Sequence, residues 1–246
     1  MPFPPEARTL LILASLNLLD YLDRNLIAAL GSLVKGEMGL SDRAFGFLGT
    51  AFFLIYFLSS PIFGYLGDRW GRVRLMAGGA ALWSLATGLT FCVTSYPALV
   101  LTRGLVGVGE ASFGTLAPAY LADILPWERR SRALGLFYLA LPVGSALAYL
   151  VGGLVGGHWG WLPAFLVAGF PGLLMSALIY RLPVVTTQAG HLGMPREKGA
   201  GPLWAGMWEL WRLPTLRRVT LGYGMVTFTL GGLAFWMPRK EFHSHR

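Results

Sequence analysis

Apolar residues in this chain fall into long runs, and most charges are collected in the short polar stretches between them. Seven runs approach the ~20 residues that an α-helix needs to cross a bilayer. They cover residues 10–34, 44–66, 75–93, 98–120, 133–156, 161–182 and 219–237. The pattern predicts an all-α polytopic membrane protein. Residues 1–182 form a six-helix transmembrane bundle, 183–218 a cytoplasmic linker, and 219–246 a seventh helix with a short tail. Within the linker, Trp204, Trp208 and Trp211 recur at i, i+4 and i+7, flanked by Leu203, Met207 and Leu210. That spacing predicts an amphipathic helix lying on the membrane surface.

Composition agrees. Hydrophobic residues make up 54% of the chain and charged ones 13%, where a soluble domain carries about 25% charge. So few charges cannot cover a water-facing surface, so most of it must face lipid. The 33 glycines suit close approach of membrane helices. The net charge of +8 is spread over loops between apolar runs, which argues against nucleic acid as a partner. The single cysteine, Cys92, excludes an intrachain disulfide and reads as a small apolar core residue. His158, His191, His243 and His245 show no metal-ligand spacing, and no nucleophile motif is visible. No metal, cofactor or enzymatic role is expected. Glu6 and Arg8 balance the start, and Asp20, Asp23 and Arg24 interrupt the first run, so a cleaved signal peptide is not expected.

Basic residues set the orientation. Arg8, the loop with Arg69, Arg72 and Arg74, the loop with Arg129, Arg130 and Arg132, and the linker with Arg181, Arg196, Lys198, Arg212, Arg217 and Arg218 share one side. The opposite loops hold Lys35, Arg43 and His158. The N-terminus and the linker are therefore expected in the cytoplasm. The tail with Arg239, Lys240 and Arg246 is the exception.

Charges inside the spans mark function by default, because burying them is costly. The first span holds Asp20, Asp23 and Arg24, and the fourth holds Arg103 and Glu110. At ~1.5 Å of rise per residue, Asp23 lies roughly 20 Å along its helix and Arg103 roughly 9 Å from the opposite face. The two are at similar depth in a ~30 Å core and can pair. Asp20 and Arg24 share a helical face. Three carboxylates against two arginines leave one acid without a partner, which suits proton coupling or substrate contact. A static ion-pair network is the alternative reading.

Two more patterns stand out. The loop at 63–74 reads FGYLGDRWGRVR, with Gly64, Asp68, Arg69, Gly71 and Arg72; Asp123 is the expected mate of Arg72 across a cytoplasmic gate. Gly144, Ala148, Gly152 and Gly156 repeat every four residues behind Pro142, which predicts close packing with a kink or hinge. Tyr21, Phe113, Tyr120, Phe137, Tyr138 and Trp159 line a cavity or face lipid.

These strings carry a resemblance. The loop at 63–74 resembles the signature loop between helices 2 and 3 of the major facilitator superfamily. NLLDYLDRN, TRGLVGVGEASF and SRALGLFYLALPVGSALAYLVGG resemble the Spinster family within it, from Leu10 to about Gly157. The resemblance implies a secondary transporter of lysolipids or sphingolipid-like amphiphiles, with proton coupling in some members. It implies matched roles for Asp23 and Arg24, for Arg103 and Glu110, and for Asp68, Arg69 and Arg72. Asp20 stands where the family commonly has Asn. Twelve helices are expected in that family, so a full pathway would need C-terminal helices beyond the seventh. Small amphipathic or organic solutes, protons and membrane lipid are the expected partners, with the inner membrane as the location in a bacterium. Two alternatives remain: efflux of sugars, organic acids or drugs, and a truncated chain acting only as a remnant or scaffold subunit.

The charge layout makes a direct prediction. Cysteines placed at position 8 and within 183–218 resist impermeant thiol reagents added from outside. Ready labelling of either would reverse the topology.

Overall fold

The structure, a computed structural model, describes residues 5–183 and 203–236, with side chains of the second segment described from 206 to 229. The chain divides into two compact units, Met1–Gln188 and Ala189–Arg246. The first holds α1 (Pro5–Ala29), α2 (Gly31–Met38), α3 (Asp42–Trp70), α4 (Arg72–Leu89), α5 (Tyr96–Ile124), α6 (Trp127–Tyr138), α7 (Ala140–Trp159) and α8 (Trp161–Tyr180). The second holds α9 (Leu203–Arg212) and α10 (Pro214–Trp236).

Among the described residues, four stretches are long and apolar enough to cross a membrane by length and composition: Asp42–Trp70, Arg72–Cys92, Trp127–Trp159 and Trp161–Tyr180. The helices α1 and α5 fall below that hydropathy because they carry the buried charges. They are enclosed instead. The main packed pairs are α4 with α5 and with α8, α3 with α5, and α1 with α7 and with α8. Exchanging the first three spans for the last three maps these pairs onto one another, as nested three-helix repeats require. The outward face is apolar: Phe57 is 71% exposed and Phe170 64%. Trp83 of α4, Phe113 of α5 and Phe137 of α6 stack in sequence through the centre, with ring centroids 5.6 and 6.1 Å apart.

Glycine makes the closest contacts possible. A Cβ at Gly109 of α5 would lie 2.5 Å from the Gly79 carbonyl and 2.6 Å from the Trp83 amide nitrogen of α4. On the other side of α4, a Cβ at Gly169 of α8 would lie 2.7 Å from the Ser84 carbonyl. The four-residue stripe is buried against α1, where a Cβ at Gly144 would lie 2.6 Å from the Leu18 carbonyl and one at Gly152 3.0 Å from Ala29 Cβ.

Three expectations change. The fifth span, expected as one helix with a kink at Pro142, is two helices, α6 and α7, separated by Leu139 one turn before that proline. Pro142 has no N–H to return to Tyr138, so the helix breaks one turn before the ring. The first span is likewise interrupted, at Leu30, where Phe45 lies so close to Gly31 that a Cβ there would sit 2.9 Å from its ring. Cys92 is exposed, since the short 3-10 turn Thr90–Cys92 ends the third span at the bundle surface.

In the second unit, Met207, Trp208, Leu210 and Trp211 are exposed along α9. The side chain of Trp204 lies outside the described residues. So do residues 184–202 with Arg196 and Lys198, and the tail with Arg239, Lys240 and Arg246. Helix α10 starts at Pro214 rather than at 219, with proline in the first turn, where its missing N–H costs nothing.

The α4–α5 seam generates a test. Gly109→Val forces overpacking and lowers stability by about 1–3 kcal/mol, read by thermal unfolding in detergent. Gly78→Ala, with nothing within 4 Å of its Cβ, is neutral. Equal melting of both variants would contradict the packing.

Candidate functional site: a buried charge network

Five ionisable side chains from α1 and α5 meet inside the first unit. Asp20, Asp23, Arg103 and Glu110 are each at most 2% exposed. Arg24 is shared. Its Nη2 lies 3.0 Å from Asp20 Oδ2, one turn back, and 2.8 Å from Glu110 Oε2 across the helix pair. Its Nε donates to the same Glu110 oxygen at 2.9 Å. The rings of Tyr21, Phe52 and Tyr56 surround the guanidinium at 4.9, 5.5 and 5.1 Å from their centroids. Ring faces attract a cation, most strongly where water is excluded. The helix α3 thus contributes two walls to a charge held by α1.

The second group is centred on Asp23. Thr87 Oγ1 of α4 donates to Asp23 Oδ2. Asp23 Oδ1 lies 3.8 Å from Arg103 Nη1. Arg103 Nη2 donates to Thr90 Oγ1 at 3.3 Å, and its guanidinium carbon sits 5.0 Å from the centre of the Phe165 ring.

The expectation of one acid without a partner does not hold. Every acid reaches a guanidinium, because Arg24 serves two. The surplus negative charge therefore belongs to the Asp20–Arg24–Glu110 group. Glu110 pairs with Arg24 and not with Arg103, which stands about 10 Å away along α5. Asp20 Oδ1, Asp23 Oδ1 and Glu110 Oε1 are buried with no hydrogen-bond donor among the described residues. At Asp20 Oδ1 and Glu110 Oε1 a proton can be added without displacing a protein donor, whereas Asp23 Oδ1 faces Arg103 Nη1.

A second charged group closes the arginine-rich end of the bundle. Gly71 joins α3 to α4 at φ 91°, a conformation that side chains resist. Beyond it, Arg72 Nη1 donates to Asp123 Oδ2 at 2.6 Å and Nη2 to Asp68 Oδ1 at 3.0 Å. This ties the α3–α4 turn to the end of α5. Arg69 lies over the Tyr65 ring at 4.2 Å. Gly64 faces Thr115, and Gly67 is buried against Leu116, which brings α3 onto α5 at this end.

Of the aromatic candidates, Phe113, Tyr120 and Phe137 are core, while Tyr138 and Trp159 are exposed. Sequence reasoning missed Phe52, Tyr56, Thr87, Thr90 and Phe165. The hydroxyls of Thr87 and Thr90, set inside an apolar run, were the available signal. The three rings carried none.

Residues 13–245 match the model of the Major Facilitator Superfamily. The chain belongs to this superfamily. It is Spinster-like within it. Protein spinster homolog 1 of Rattus norvegicus is 39% identical over 237 residues, which cover 92% of this chain and 44% of that protein. Sphingosine-1-phosphate transporter SPNS2 of Mus musculus is 35% identical over 237 residues, covering 92% and 42%. The crystal structure of a bacterial homolog to the human lysosomal transporter Spinster, inward-facing and unoccupied, matches with a TM-score of 0.77 at 27% identity, over 96% of this chain and 55% of that one. The chain spans about half the length of the known relatives it matches. It is an integral multi-pass membrane protein from a family of transporters rather than enzymes.

The shared guanidinium can be tested alone. Arg24→Ala strands two buried acids and destabilises the bundle by about 3–5 kcal/mol. Adding Asp20→Asn and Glu110→Gln recovers most of the loss in thermal unfolding. Wild-type stability of Arg24→Ala would show that the pairs contribute nothing.

Proposed function

We propose that this chain is the N-terminal part of a proton-coupled secondary transporter for a lysolipid, sphingolipid-like amphiphile or related organic solute. The observation that carries the reading is the buried Asp20–Arg24–Glu110 group, with two acids on one guanidinium. Fully ionised it holds a net negative charge away from water, which is costly. One proton on Glu110 or Asp20 makes it neutral. Asp23 and Arg103 form the adjoining neutral pair.

The geometry supports coupling of proton binding to rearrangement. When α1 and α5 hold Arg24 between both acids, the surplus charge is shared. When rearrangement draws Arg24 from one acid, that acid binds a proton. The amphiphile reading draws support from the mouse relative named for sphingosine-1-phosphate. It also draws on the aromatic walls beside Arg24, which set an apolar surface next to a cationic point. The Asp68–Arg72–Asp123 group serves as the cytoplasmic latch, with Arg69 and the glycines Gly64, Gly67 and Gly71 shaping its turn. Gly144, Ala148, Gly152 and Gly156, behind Pro142, let α7 stay in contact with α1 as the site rearranges. A pathway in this superfamily lies between two six-helix halves, so a second half is the required partner.

The test uses liposomes with and without a pH gradient. One set carries this chain alone. The other carries a full-length Spinster relative whose N-terminal half is replaced by residues 1–182. Radiolabelled sphingosine-1-phosphate and lysophosphatidylcholine are the probes. The chimera shows gradient-driven uptake. Glu110→Gln and Asp20→Asn reduce that uptake to background while exchange at equal pH survives, and Arg103→Ala and Arg72→Ala harm both. If both acid variants keep normal gradient-driven uptake, the network is structural and the coupling reading fails. Uptake of xylose but of neither lipid would move the substrate class to sugars.

A further inference from the structure

A groove separate from the charge network opens between α4 and α8 at the arginine-rich end of the bundle. Its volume is about 490 Å³. Small residues make its floor: Ala77, Gly78 and Ala81 on α4 and Ala177 on α8. A Cβ at Gly78 would meet nothing within 4 Å, so the space beside it is open. Two arginines stand at the mouth, Arg74 in the first turn of α4 and Arg181 just past the end of α8. Both are exposed, and among the described residues neither has an ion-pair partner. The nearby acids Asp68 and Asp123 are both engaged by Arg72. The start of α4 and the end of α8 meet at this mouth, so their opposite helix dipoles offset and the positive charge comes from the two arginines. Ser176 and Tyr180 complete the lining.

The groove thus pairs a cationic entrance with an open floor of small residues. We propose that it binds an anionic glycerophospholipid of the cytoplasmic leaflet, with the phosphate between Arg74 and Arg181 and one acyl chain along Gly78, Ala81 and Ala177. Charge complementarity selects the headgroup, since basic pockets between membrane helices on this side favour anionic lipids. The open space beside Gly78 and the small residues around it leave room for an acyl chain along the floor. The site is distinct from the buried network, which lies on α1 and α5, and does not depend on the transport reading. A lipid held here would fasten α4 to α8 and leave α1 and α5 untouched.

The test titrates the full chain, purified in detergent, with dioleoylphosphatidylglycerol, dioleoylphosphatidylcholine or inorganic phosphate. Retained lipid is counted by native mass spectrometry, and stability is read by thermal unfolding. Phosphatidylglycerol is retained and raises the melting temperature; phosphatidylcholine and free phosphate do neither. The double change Arg74→Gln with Arg181→Gln weakens phosphatidylglycerol binding roughly 30-fold, at about 1 kcal/mol for each arginine. Arg132→Gln, an exposed arginine at the same end but off the groove, leaves binding unchanged. Gly78→Leu fills the floor with both arginines in place and weakens binding about tenfold, the equivalent of roughly two methylene contacts. Any of three results overturns the proposal: equal retention of phosphatidylcholine, equal stabilisation by inorganic phosphate, or wild-type phosphatidylglycerol binding in either groove variant.

Discussion

A charge removed from water must meet its opposite, and in this molecule that requirement fixes where α1 and α5 lie. Neither helix is apolar enough to be an independent membrane span by composition. Each is stable inside the bundle because the other holds its counter-charges and because α3, α4, α7 and α8 shield the pairs. The outer helices can be read from hydropathy alone. The inner ones can be read only together.

Much of this was legible in the sequence, and the reasons differ by residue. The Asp20–Arg24 pair follows from four-residue spacing, and Asp23 with Arg103 follows from depth. The stripe at Gly144, Ala148, Gly152 and Gly156 announces a close neighbour, although spacing alone does not say that the neighbour is α1. The Arg24–Glu110 contact was not legible. Depth fixes how far along a helix a charge lies, but not how the helix is rotated about its axis. That rotation is set by Gly79 and Gly109 meeting backbone to backbone, which spacing in one helix does not reveal. Thr87, Thr90, Phe52, Tyr56 and Phe165 are ordinary members of apolar runs until partners arrive from other helices. Cys92 sits in an apolar run yet faces outward, because the run ends in a 3-10 turn at the surface.

The two charged groups are built on different physics. Around Arg24 the two acids are excluded from water, although the guanidinium is itself 18% exposed, and every rearrangement must keep those acids compensated. Around Arg72 they sit at the end of the bundle, where Asp68 is 61% exposed and can release at small cost, while Asp123 is only 16% exposed and holds the arginine more firmly. Helix α5 carries a member of each, Glu110 and Asp123, a few turns apart with Pro118 between them. The two groups thus share one helix, divided by the residue most apt to bend it.

The break at Leu139 has a mechanical meaning. Asn17 of α1 donates its side-chain amide to the Phe137 carbonyl at 2.8 Å, next to the break and away from water. The bond ties the end of α6 to α1, the helix that carries Asp20, Asp23 and Arg24. The one-residue interruption is therefore anchored by a buried contact rather than left loose.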